Sequence, residues 1–109
     1  MKEIKAYVRR LVVSEVVRAL REAGAPRLTA IDVEGLTAEL ADDRGQISAE
    51  MASSYTPMVK LEIICDDQAV GRFVSIIRDV AHTGRKGDGI IAVSSLDEVR
   101  GIRTGEPTG

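Results

Sequence analysis

Residues 59–93 read VKLEIICDDQAVGRFVSIIRDVAHTGRKGDGIIAV, and the period of the apolar residues changes twice along them. In Val59–Cys65, Val59, Leu61, Ile63 and Cys65 fall on one face and Lys60, Glu62 and Ile64 on the other, the two-residue period of a strand. From Asp66 or Asp67, either able to cap a helix, Val70, Phe73, Val74, Ile77, Val80 and Ala81 recur at helical spacing as far as His82, and Gly84 ends the helix. Ile90–Val93 then reads as a short apolar strand. Strand, helix, strand is the repeating unit.

The first half carries the same unit. Ile4, Ala6 and Val8 alternate with Glu3, Lys5 and Tyr7, which predicts a strand over Lys2–Val8. Ser14 is the expected N-cap of a helix over Ser14–Ala23, with Val16, Val17, Leu20 and Ala23 on its apolar side and Gly24 at its left-handed stop. Leu28–Glu34 is the second strand, Thr29, Ile31 and Val33 opposing Leu28, Ala30 and Asp32. The order βαββαβ predicts an α+β, ferredoxin-like domain: a four-stranded antiparallel sheet with both helices on one face. The other face is left uncovered. With Ile64, Leu28 and Ala30 expected on it, burial against further copies of the chain follows. Val99–Arg103 is read as a minor extended segment.

The 109 residues suit one domain. Fifteen Lys and Arg against 17 Asp and Glu give a net charge of −2, without the basic excess that nucleic-acid binding requires. No stretch is apolar enough to insert in a membrane, and the start, MKEIKAYVRR, lacks the apolar stretch of a secretory signal, so a cytoplasmic location is expected. One cysteine, Cys65, and one histidine, His82, cannot make a disulfide or a zinc site of the usual kind. Cys65 lies on the apolar face of its strand and reads as an inert core thiol.

Residues 35–58 form a connection far longer than the roughly 2–5 residues of a hairpin. In it Glu39, Asp42, Asp43 and Glu50 stand against Arg44 alone. An individual carboxylate here is ordinarily a solvated charge, whereas the loop as a whole reads as a partner-binding element. The second distinctive stretch is Thr83-Gly84-Arg85-Lys86-Gly87-Asp88-Gly89. Its glycines let the backbone turn N–H groups towards an anion, although such a loop is as often a tight turn. It is not a Walker A loop, since Ile90-Ile91 stand where Lys-Ser/Thr should follow.

Thr83-Gly84-x-x-Gly87-Asp88-Gly89, then a short apolar strand and Ile102-Arg103-Thr104-Gly105-Glu106, resembles the signature of the PII signal-transduction proteins. The similarity extends over the chain in element order: Met1-Lys2-x-Ile4, Gly24, Thr29 and Gly35, the long loop, and Pro57-x-Val59-Lys60-x-Glu62-Ile63. It implies a homotrimer with an adenine nucleotide in each cleft between subunits, no catalysis as the main task, and a long loop acting on a partner such as a membrane transporter. Carried across, Thr29 and the Ile64 backbone hold adenine, Glu62 lies by the ribose, Thr83, Gly84, Arg85, Lys86, Gly87, Asp88 and Gly89 hold phosphates, and Gly35 belongs to the nucleotide site. Arg103 reaches over from the adjacent subunit.

Departures from the family narrow the ligand. Met58, Ile90 and Gly101 stand where cations are usual, which favours ADP, AMP or cyclic AMP over ATP unless Arg85, Lys86 or Arg9 compensate; a role for Mg²⁺ is left open. Met51 replaces the uridylylated tyrosine, and Thr37, Ala38 and Glu39 replace a glycine, an arginine and a glutamine. With Glu39 and Met58 offering no cation to a dicarboxylate, 2-oxoglutarate sensing is not expected. Two other readings stand beside this one: a metal-efflux regulator holding a divalent cation through Glu39, Asp42, Asp43 and Glu50, and, least favoured, a slow hydrolase using Asp88.

Overall fold

The computed structural model describes residues 1–35 and 56–108. In chain order these form β1 (Lys2–Arg9), a 3₁₀ turn (Arg10–Val12), α1 (Val13–Glu22), β2 (Leu28–Gly35), β3 (Thr56–Cys65), a 3₁₀ turn (Asp67–Ala69), α2 (Val70–Ala81) and β4 (Gly89–Ser95). The strands make one antiparallel sheet in the order β2-β3-β1-β4. This is the ferredoxin-like arrangement expected from the alternating periods.

Alternation decides which side is covered. Ile4, Ala6 and Val8 of β1 and Val59, Leu61, Ile63 and Cys65 of β3 are buried beneath Val16 and Leu20 of α1 and Phe73, Ile77 and Ala81 of α2. Each large side chain buried in this layer contributes about 1.5–3 kcal/mol relative to exposure. At the end of α1, Gly24 takes φ +82°. The Ala25 N–H then reaches the Leu20 carbonyl and the Gly24 N–H the Arg21 carbonyl, closing the helix as a Schellman motif.

Several local expectations are corrected. Ser14 is not the N-cap: the 3₁₀ turn runs straight into α1, Val12 holds the cap position, and no side chain caps the helix. Neither Asp66 nor Asp67 caps α2 through its side chain; Asp66 precedes the second 3₁₀ turn and Asp67 pairs with the Met1 amine at 3.1 Å. Helix α2 ends at Ala81, with His82 extended, two residues before Gly84. Strand β3 begins at Thr56, its pairing with Gly35 bringing β2 and β3 closer to the intervening segment than the 35–58 boundaries imply.

The uncovered face also differs in composition. Leu28 is opposite Ile63 and Ala30 opposite Leu61, so both lie on the helix side. Thr29, Ile31 and Val33, opposite Glu62, Lys60 and Met58, lie on the open side instead. One row crosses the whole sheet there as Ile31, Lys60, Tyr7 and Ile90, and Ile31 and Ile90 are 39% and 54% exposed.

Candidate functional site

The glycine loop lies between the end of α2 and the first residue of β4, and the far end of β1 shapes it. Gly89 is opposite Val8 in the sheet with φ +116°, and a β-carbon there would lie 1.7 Å from the Tyr7 carbonyl oxygen. Only glycine fits that approach. Gly87 is buried at φ +86° and Gly84 has φ +84°.

Asp88 organises the rest of the loop. One carboxylate oxygen, Oδ2, accepts the Thr83 N–H at 2.8 Å and the Gly84 N–H at 3.2 Å. The other, Oδ1, accepts the Thr83 hydroxyl, and that hydroxyl oxygen in turn accepts the Arg85 N–H at 3.2 Å. These donors, led by the Thr83 hydroxyl, and the nearby Arg9 guanidinium hold the Asp88 carboxyl below its ordinary pKa. Two of the N–H groups expected to cradle an anion are thus turned towards the chain's own carboxylate.

Arg9 secures the loop from outside. Its Nη2 donates to the Lys86 carbonyl at 2.5 Å, and its Nε lies 3.5 Å from Asp88 Oδ1. Sequence reading names Arg9 only as a substitute cation. Nothing in the alternation of β1 reveals that its last residue closes on a loop nearly eighty positions later.

Clefts of about 330 and 320 Å³ adjoin Arg9, one lined with Arg10, Leu11 and Pro57, the other with Leu11, Thr83 and Arg85. Arg10 pairs with Asp32 at 3.4 Å. Met58, where the resemblance anticipates a cation, is buried, and its Cε lies 3.4 Å from the position of a β-carbon on Gly89. It fills space behind the loop.

The remaining expected residues fall elsewhere on the chain. Thr29 and Glu62 are cross-strand neighbours in a row with Lys5, and Ile64 is opposite Glu3. That row is three residues along β1 from Val8, about 10 Å at the rise of a strand. Arg103 is exposed in a C-terminal turn that replaces the extended segment expected over Val99–Arg103. There Arg100 bridges to Pro107 and its guanidinium binds Glu98 and the Gly105 carbonyl, each at 2.8 Å. Glu39, Asp42, Asp43, Glu50 and Met51 lie outside the described residues. Among those described, no three His, Cys, Asp or Glu side chains are grouped to hold a metal, and no helix is long and apolar enough to cross a membrane.

This combination of sheet, glycine loop and C-terminal turn is met by a family profile described as nitrogen regulatory protein P-II, which matches residues 1–106. The chain belongs to the P-II family. It is 37% identical over 109 residues to nitrogen regulatory protein P-II of Azospirillum brasilense, spanning 100% of this chain and 97% of the relative. Identity is 39% over 106 residues to the P-II protein of Mesorhizobium japonicum, spanning 97% and 95% of the two chains. To nitrogen regulatory protein P-II 2 of Methanothermobacter thermautotrophicus it is 38% over 106 residues, spanning 97% and 92%. P-II membership carries a signalling, regulatory role.

Proposed function

We propose that this P-II protein binds an adenine nucleotide in the clefts between subunits of a homotrimer and controls a partner, a transporter or efflux component, through the segment that follows Gly35. The observation that carries the reading is the glycine loop, fixed from β1 by Arg9 and by the approach of Gly89 to Tyr7. A second copy supported by the row through Ile31, Tyr7 and Ile90 would bring another chain's Thr29, Glu62 and Ile64 to this loop. Its own lie about 10 Å or more away along the sheet.

ADP, AMP or cyclic AMP suits the loop better than ATP. Arg9 and Arg10 already face Asp88 and Asp32, and Met58 and Ile90 add no charge. Each missing charge-assisted contact weakens binding by roughly 1.5–3 kcal/mol. The role is non-enzymatic: the Asp88 carboxylate is taken up in holding the loop, and a regulator requires binding without turnover.

Calorimetric titration with ATP, ADP, AMP and cyclic AMP, with and without Mg²⁺, tests this. Micromolar binding of ADP, AMP or cyclic AMP with weaker ATP is the expected result. Absence of binding by all four at millimolar concentration would overturn it.

A further inference from the structure

We propose that Arg9 is a positioning residue that takes the place of the Thr83 hydroxyl at Asp88 Oδ1 when the glycine loop binds an anionic phosphate group. For the identity of the anion this rests on the nucleotide reading above; the exchange itself is a property of the three side chains.

Asp88 Oδ1 is faced by two donors. The Thr83 hydroxyl holds it, while Arg9 Nε lies 3.5 Å away. That Nε is shielded from solvent and has no hydrogen-bond partner among the described residues. An N–H···O bond needs about 2.7–3.2 Å, so Arg9 Nε stands just outside bonding distance. The guanidinium is held in place by its other arm, Nη2, on the Lys86 carbonyl.

A hydroxyl has one proton to donate. Thr83 Oγ1 already accepts from the Arg85 N–H, so its single proton serves either Asp88 or an incoming phosphate oxygen. When it turns to the phosphate, Oδ1 loses its hydroxyl donor beside a buried N–H that lacks an acceptor. A closure of a few tenths of an ångström satisfies both. The contacts of the Thr83 and Gly84 N–H groups are on Oδ2 and survive the exchange. Binding therefore draws the loop onto β1, with Arg9 acting through Asp88 and not on the ligand.

The test is nuclear magnetic resonance of the Arg9 Nε–H in the full-length, ¹⁵N-labelled protein. On saturation with ADP, or with inorganic phosphate as a minimal anion, the resonance should move downfield as the bond to Asp88 forms. In ligand-free Thr83→Val, where the competing hydroxyl is gone, it should already be displaced; Thr83→Ser should match the wild type. Thr83→Ala repeats the test if valine is not accommodated.

Arg9→Gln should weaken AMP and ADP alike, by roughly tenfold, with partial rescue by Arg9→Lys. A loss that grows from AMP to ADP would mean that Arg9 touches the phosphates, and would overturn the proposal. So would an Nε–H resonance unchanged between the wild type and the hydroxyl-free variants. A wild type that binds no nucleotide refutes the functional reading, whereas the ligand-free spectra of the Thr83 variants still decide the exchange.

Discussion

Tyr7 presents its backbone carbonyl oxygen where a β-carbon on Gly89 would have to stand, 1.7 Å away. Gly84, in the same loop, also has positive φ but nothing within 4 Å of the equivalent position. The two glycines therefore separate steric from conformational cost. Gly84→Ala should lose only the left-handed penalty, about 1–2 kcal/mol. Gly89→Ala must also displace β4 from Tyr7 and should lose more than about 3 kcal/mol. Urea denaturation of the two variants checks this, and equal losses would show that β4 yields easily.

Asp88 gives an acid dependence of definite sign. Its folded pKa lies below the ordinary 3.8, chiefly because of the Thr83 hydroxyl and N–H. The stabilisation is therefore present at pH values above 3.8 and is lost as pH falls through the lower folded value. Asp88→Asn should be less stable than wild type at pH 7, with the difference shrinking between pH 4 and the acid limit. Denaturation midpoints measured across that range give the comparison; a constant difference would mean that shape, not charge, is what Asp88 supplies.

Cys65 should be chemically quiet. It is 1% exposed, and burial, followed by the nearby Asp66 and Asp67 charges, raises its thiol pKa. Little thiolate is available at pH 8, so a thiol reagent should label the native chain only at the rate of its unfolding. Rapid labelling without denaturant would contradict the packing of β3.

Ile31→Asp probes the open side of the sheet. A carboxylate in the row with Lys60, Tyr7 and Ile90 leaves the core beneath the helices untouched. If that row is the contact between copies, self-association should weaken by at least about tenfold, or about 1.4 kcal/mol. Sedimentation analysis at micromolar concentration reads the outcome, and unaltered self-association would place the contact elsewhere.

Most elements are legible in the alternation of apolar residues because the sheet is covered on one side only. Charged Lys5, Lys60 and Glu62 between buried neighbours mark their strands without ambiguity. The start of β3 is obscured by Pro57, which argues against a central strand. The structure accommodates it because β1 ends opposite Met58, so Thr56 and Pro57 pair with β2 alone. Strand β2 reveals its period but not its side: Leu28 and Ala30 are apolar, Ile31 and Val33 equally so, and only the pairing with β3 decides between the faces.

The site is less legible than the fold. Thr83–Gly89 stands out by its glycines, yet the reason Gly89 must be glycine lies in Tyr7, and Asp88, bonded within the loop, is also faced by Arg9. Such partners leave no local pattern. They are set by the register of β1 against β4.

That register has a consequence for the growing chain. The sheet gains β4 last during synthesis, and until then Tyr7 and Val8 are paired on the β3 side alone. Residues 83–89 take their shape partly from one another, through Asp88 with Thr83 and Gly84, and partly from contacts about eighty positions distant. A chain truncated before β4 would keep β1 paired with β3 but leave its other edge open from Lys2 to Val8, and the glycine loop without the strand that fixes its end.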